Sequence, residues 1–182
     1  RVLFRSQTLT GNGAMFTWEV TPGTYTISET VPAGWDQTST TCDNVVVPSG
    51  QQVTCEIVNT QRGTLKVTKN TDPASDTTTD FPVTISGSGT ITEDVDQTLT
   101  GNGAMFTWEV TPGTYSVTET VPTGWDQTGT TCDNVVVAPG QAATCEIDNT
   151  QRSSIKITKT TLPASDTTTD FPVTISGSGT IT

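Results

Sequence analysis

Residues 7–25 read QTLTGNGAMFTWEVTPGTY, and residues 97–115 read the same. Residues 73–92 read PASDTTTDFPVTISGSGTIT, and residues 163–182 repeat that run. The offset is 90 residues in both cases. Self-similarity at a fixed period marks an array of structural units. A unit of this length suits a self-contained sandwich domain better than a solenoid coil, which repeats every ~20–45 residues. The register of the copies divides the chain into three parts. Residues 62–151 hold one complete copy, 1–61 match the rear two-thirds of a copy, and 152–182 match the front third. Residues 1–6, RVLFRS, stand where the repeat predicts ITEDVD, and nothing in the pattern explains them. Two arrangements fit this phasing. The chain is a stretch of a longer array, or the front third of one chain completes the rear part of the next. Strand donation of the second kind builds head-to-tail polymers.

Within the complete copy, short alternating runs are separated by turn residues. Leu65–Lys69, Phe81–Ile85, Met105–Val110 and Tyr115–Glu119 read as strands. Val135–Val137 and Thr144–Asn149 read as a terminal hairpin around Ala138, Pro139 and Gly140. No segment carries the 3.6-residue apolar period of a sizeable helix. About seven short strands with frequent turn signals predict an all-β, immunoglobulin-like sandwich.

Strand parity then exposes an oddity. Side chains two positions apart share one face of a strand. Leu65 and Val67 share theirs with Lys69, Tyr115 and Val117 with Glu119, and Cys145 and Ile147 with Asn149. The incomplete copies repeat the pattern at Tyr25, Ile27 and Glu29, at Cys55, Ile57 and Asn59, and at Ile155, Ile157 and Lys159. Lys66 has the opposite parity and is expected to face water. A lysine, a glutamate and an asparagine are thus predicted to converge on an apolar core, where charged groups are rare unless paired. A buried amine and a buried carboxyl both resist charging. A neutral Lys69 can attack the side-chain carbonyl of Asn149 while Glu119 shuttles protons and ammonia leaves. The product is a self-formed isopeptide bond, made once, so the module is not an enzyme. A hydrogen-bonded or ionic core triad without a covalent bond fits the same parity.

The same residues carry a family resemblance. TYSVTETVPTGW resembles the glutamate-bearing segment of Cna B-type domains, prealbumin-like repeats of bacterial surface adhesins and pilins. LKVTK at the front of the copy and CEIDNT at its end resemble that family's first and last strands. The resemblance covers the whole repeat. It implies a stalk or fibre role, in some members ligand binding, and an intramolecular Lys–Asn bond with an assisting acid. Residue by residue it puts Lys69 and Asn149 in the bond and Glu119 beside them. Glu29 with Asn59, and Lys159, are the same parts in the incomplete copies. The cysteine pairs are a departure, since pilin members do not share them as a fixed feature.

Those cysteines are Cys42, Cys55, Cys132 and Cys145. Their spacing lacks the clustered pairs of a zinc site. Each pair brackets a Pro-containing turn, and a hairpin about that turn sets Cys42 opposite Cys55 and Cys132 opposite Cys145. Two disulfides are therefore expected, and with them an oxidising, extracellular compartment. Either staple suits a stalk under tension.

Charge and composition narrow the function further. The chain has 19 acidic against 8 basic residues and a formal net charge of −11. That disfavours nucleic acid and anionic membrane surfaces. No apolar run reaches the ~18 residues of a membrane span, and no signal peptide begins the chain. Histidine is absent, which removes the Ser-His and Cys-His nucleophile systems. No cofactor is expected. Asp72, Asp76 and Asp80 in one loop and Glu93, Asp94 and Asp96 in another could draw calcium, but the EF-hand spacing is missing. Trp108 and Trp125 read as core or interdomain residues before they read as a sugar-binding surface. The competing function is a ligand-binding adhesin module, although near-identical copies favour a spacer. The partners expected are neighbouring copies of the same repeat.

Overall fold

The computed structural model describes residues 5–180 apart from 163 and 166. It is all-β, with no helix among the described residues. Two compact units divide at Gln151 and Arg152.

In the first unit, the rear portion of a copy contributes β1 (Gly23–Tyr25), β2 (Trp35–Thr40), β3 (Val45–Val47) and β4 (Ile57–Gln61). They form only two isolated pairs, β1 with β3 and β2 with β4. The complete copy follows as β5 (Gly63–Asp72), β6 (Asp80–Gly87), β7 (Asp96–Thr100), β8 (Met105–Val110), β9 (Gly113–Glu119), β10 (Trp125–Thr130), β11 (Val135–Val137) and β12 (Ala142–Gln151). These eight strands build two four-stranded sheets, ordered β10-β12-β5-β8 and β11-β9-β6-β7. All pairs are antiparallel except β12 with β5.

The core lies between the sheets, where each strand presents alternate apolar residues. Leu65, Val67, Phe81, Val83, Ile85, Trp108, Tyr115 and Ile147 are fully or almost fully buried. Phe81 meets Trp125 edge to face, with centroids 5.3 Å apart. Both tryptophans are buried, which removes the sugar-surface alternative and supports core packing. The Trp108 indole N–H donates to the Asp94 carbonyl, satisfying its one polar atom. The close approach of β6 to β9 demands glycine at 87: a Cβ there would lie 2.2 Å from the Tyr115 ring.

The terminal hairpin expected from the sequence is not formed. β11 pairs with β9 in one sheet, and β12 pairs with β5 and β10 in the other. The Ala138–Gly140 turn crosses between sheets, so its two flanking strands hydrogen-bond to different neighbours. β7 and β10 form although DQTLT and WDQTGT are largely polar and lack the clean alternation that marks a strand in sequence.

The linker between the two portions of the first unit is tied down. The Arg62 backbone N–H donates to Gly34, and its guanidinium forks onto Asp36 at 2.8 and 2.6 Å. The Arg62 hydrogen bonds hold the Asp36 carboxyl below its usual range.

Described by itself, the second unit forms no strand among its described residues. Its Ile155 and Ile157 line a groove together with Val173 and Ile175.

Candidate functional site

Lys69, Glu119 and Asn149 meet between the sheets of the complete copy. Lys69 comes from β5 and Asn149 from its parallel neighbour β12. The register pairs Lys69 with Ile147 and Asn149 with Thr71. The two polar residues are therefore diagonal neighbours on one face, a spacing that a long side chain can span. Glu119 ends β9 and reaches in from the opposite sheet. Lys69 is 0% and Asn149 1% exposed, and the Glu119 side chain is 0% exposed. Lys66, on the other face, is half-buried, so its parity takes it out of the core without leaving it fully in water.

The contacts are few. Asn149 donates from Nδ2 to Glu119 Oε1. Lys69 Nζ lies 3.6 Å from Glu119 Oε2, beyond ordinary hydrogen-bond reach. The amine donates instead to the Asn70 and Ile147 carbonyls, at 2.9 and 3.1 Å. Beneath it the Phe81 ring centroid is 4.5 Å away. Burial lowers the Lys69 pKa from its ordinary 10.5, against the opposing pull of Glu119. Glu119 Oε2 and Asn149 Oδ1 are buried without a hydrogen-bond partner. Orphaned buried acceptors are unfavourable and rare in folded proteins. The pocket therefore combines an amine whose pKa burial lowers, an amide and a carboxyl, all three side chains buried.

In the first copy, Asn59 Nδ2 donates to Glu29 Oε1 at 2.6 Å, and Asn59 Oδ1 is again buried without a partner. No lysine of that copy lies in the chain. In the second unit Lys159 Nζ donates to the Thr160 carbonyl and sits 3.8 Å from the Phe171 ring centroid. Ile155, Ile157 and Lys159 are exposed, contrary to the core placement their parity suggested. Parity predicts a face, but that face is buried only where an opposing sheet covers it.

Both expected disulfides are formed, Cys42–Cys55 and Cys132–Cys145. Their geometry differs from the hairpin envisaged. Cys132 follows β10 and Cys145 lies within β12, which are neighbours in one sheet. Each bond thus staples adjacent strands beyond the end of their ladder. The Thr131 N–H to Glu146 carbonyl bond prolongs that pairing.

The acidic loops have structural partners. Asp76 Oδ1 accepts from the Thr78 and Thr79 amides and the Thr79 hydroxyl, which caps its loop. Asp94 accepts from the Asp96 amide, and Asp96 from the Thr84 hydroxyl. Among the described residues, no three acidic or cysteine side chains gather as a metal site would require. No helix among them is long and apolar enough to cross a membrane.

Two successive segments of the chain, 5–57 and 60–155, match the model of a family described as a prealbumin-like fold domain. No curated protein and no solved structure matches the chain.

Proposed function

Because this chain belongs to the prealbumin-like fold domain family, we propose that it is a structural, non-enzymatic repeat module of an extracellular fibre or cell-surface stalk. Its tandem copies are closed by disulfides and by Lys–Asn isopeptide bonds. The observation that carries this is the Lys69, Glu119 and Asn149 cluster, sealed from water between the two sheets. A buried ion pair of this kind costs more in desolvation than it returns unless its geometry is excellent, and here the ion-pair distance is long. Covalent chemistry gives the cluster a reason to exist.

The reaction balances within the pocket. Lys69 passes a proton to Glu119, which neutralises both groups. Neutral Nζ attacks Asn149 Cγ, and the Nζ–Cγ bond forms. The Cγ–Nδ2 bond breaks, and Nδ2 leaves as ammonia with the proton that Glu119 relays from Nζ. The resulting amide joins the first and last strands of the copy. Tension entering at β5 and leaving at β12 then runs through a covalent bond rather than a hydrogen-bonded ladder. The disulfides fit an oxidising compartment, and the acidic surface keeps a repetitive protein soluble. Neighbouring copies of the repeat are the partners, in an array or in a head-to-tail polymer made by strand complementation.

The test is the intact mass of the reduced protein. Loss of one ammonia for each closed copy, abolished by Glu119→Ala, is the expected result. The full sequence mass for the wild-type chain would overturn the isopeptide and leave the disulfides as the covalent staples.

A further inference from the structure

Residues 101–103, the GNG turn between β7 and β8, take over where the pairing of β8 stops. The last pair of β5 with β8 is Thr68 with Met105, yet β5 continues to Asp72. Over that extension one edge of β5 stays paired with β12, as far as Asp72 opposite Thr150. The other edge is held by the turn. The Lys69 N–H donates to the Ala104 carbonyl at 2.8 Å, and the Gly103 N–H donates to the Lys69 carbonyl at 2.7 Å. Two residues on, the Thr71 N–H donates to Asn102 Oδ1 at 2.8 Å. The asparagine side chain thus supplies the acceptor that a strand neighbour would otherwise give.

The turn is itself anchored. The Gly101 N–H donates to the Thr79 carbonyl and the Asn102 N–H to the Asp76 carbonyl, at 2.9 and 2.8 Å. Both carbonyls belong to the loop that the Asp76 carboxylate caps. Gly101 and Gly103 have φ of 73° and 79°, which glycine adopts without strain. Thr71, the residue that Asn102 holds, is the register partner of Asn149. The backbone from Lys69 to Thr71 is therefore fixed on one side by the strand that carries the reacting amide, and on the other by Asn102 and its turn.

We propose that Asn102 is a positioning residue for the Lys69–Asn149 bond: by holding Thr71 it keeps the end of β5 in place and so sets the reach of Nζ to Asn149 Cγ. The inference rests on the isopeptide reading, and the bonds made and broken are those already balanced for it. Asn102 acts through the β5 backbone and not on the reacting atoms. Loss of its side-chain oxygen takes the acceptor from the Thr71 N–H and loosens the end of the strand. Attack is sensitive to small displacements, since a misplacement of about 1 Å can cost ~10²-fold in rate.

The experiment follows bond formation in time. The 182-residue chain is made by cell-free translation under oxidising conditions, quenched at intervals, reduced and weighed intact, with peptide mapping of Lys69 to Asn149. Asn102→Ala should lose ammonia at least about tenfold more slowly than the wild type. Asn102→Asp, which keeps an acceptor oxygen in the same place, should be faster than Asn102→Ala. Val137→Ala is the control for lost stability. Val137 is a core residue beside Gly63, at the other end of β5, and its truncation should leave the rate near that of the wild type. An unchanged rate in Asn102→Ala overturns the proposal and spares the isopeptide. So does an equal slowing in Val137→Ala, or an Asn102→Asp chain no faster than Asn102→Ala. A wild-type chain that keeps its full mass overturns both. If Asn102→Ala does not fold, hydrogen exchange in the Glu119→Ala chain decides: the Thr71 amide should be protected, and free exchange there overturns the role of Asn102.

Discussion

Glu119→Ala should change how the complete copy responds to force. The chain enters this copy at Gly63, at the start of β5, and leaves at Gln151, at the end of β12. Those strands are parallel over nine register pairs, so tension on the two ends shears them along their shared edge. Without the amide, rupture of that ladder frees the chain from 63 to 151 except the part closed by Cys132–Cys145. That leaves about 75 residues, roughly 255 Å of chain at about 3.4 Å each, of which about 30 Å is already spanned between the ends of β5 and β12, so about 225 Å is added. With the amide, only the residues before Lys69 and after Asn149 extend. They number about eight and already run extended in β5 and β12, so they add only a few ångströms. Single-molecule force spectroscopy on the non-reduced chain distinguishes the two values. The wild type should lack the long step attributable to this copy, and Glu119→Ala should show it. A step of about 225 Å in the wild type would refute the covalent load path. The short extension in Glu119→Ala would refute the part assigned to Glu119.

Further expectations concern stability, best measured where the amide is absent. In Glu119→Gln, buried Lys69 loses the group that raises its pKa and keeps the burial that lowers it. The unfolded lysine holds its proton up to about 10.5, so the unfolded state binds more protons below that pH and stability rises as pH climbs toward it. The urea midpoint should therefore increase with pH relative to Glu119→Gln/Lys69→Met, and a relative decrease would contradict the burial argument. In the Glu119→Ala background, Cys132→Ser/Cys145→Ser should lower stability by about 2–3 kcal/mol, read from urea titration. Trp125→Ala, which empties the contact with Phe81, should cost about 3–5 kcal/mol by the same titration. A change under about 1 kcal/mol would mean that Trp125 is not part of the cooperative core.

Much of the site was legible because strand parity is a local property. Lys69 follows Leu65 and Val67 at two-residue steps, and all three are buried. Asn149 follows Cys145 and Ile147 in the same way. Parity identifies the face that a residue shares but not its neighbours across the ladder. For that reason Val135–Val137 and Thr144–Asn149 looked like one hairpin and proved to lie in separate sheets. The cysteine spacing predicts the two bonds through a hairpin, whereas in the fold Cys132 meets Cys145 just beyond the β10–β12 ladder. The arrival of Glu119 from the opposite sheet, and its approach to Asn149, depended on how the two sheets stack.

The repeat itself shows where local information stops. Residues 7–25 and 97–115 are identical. In the complete copy that segment forms β7, β8 and the start of β9. In the first copy only Gly23–Tyr25 is strand. The difference is supplied by β5 and β6, which give β8 and β7 their hydrogen-bond partners and contribute Leu65, Val67, Phe81, Val83 and Ile85 to the core that holds Leu99 and Val110. The sequence alone determined the period, the turns, the cysteine pairs and which side chains share a face. These follow from backbone stereochemistry and from alternation along one strand. Tertiary structure decided which runs became strands, which faces were buried and which polar groups met. A β-strand satisfies its backbone only through another strand, and which strand that is cannot be read from the run itself.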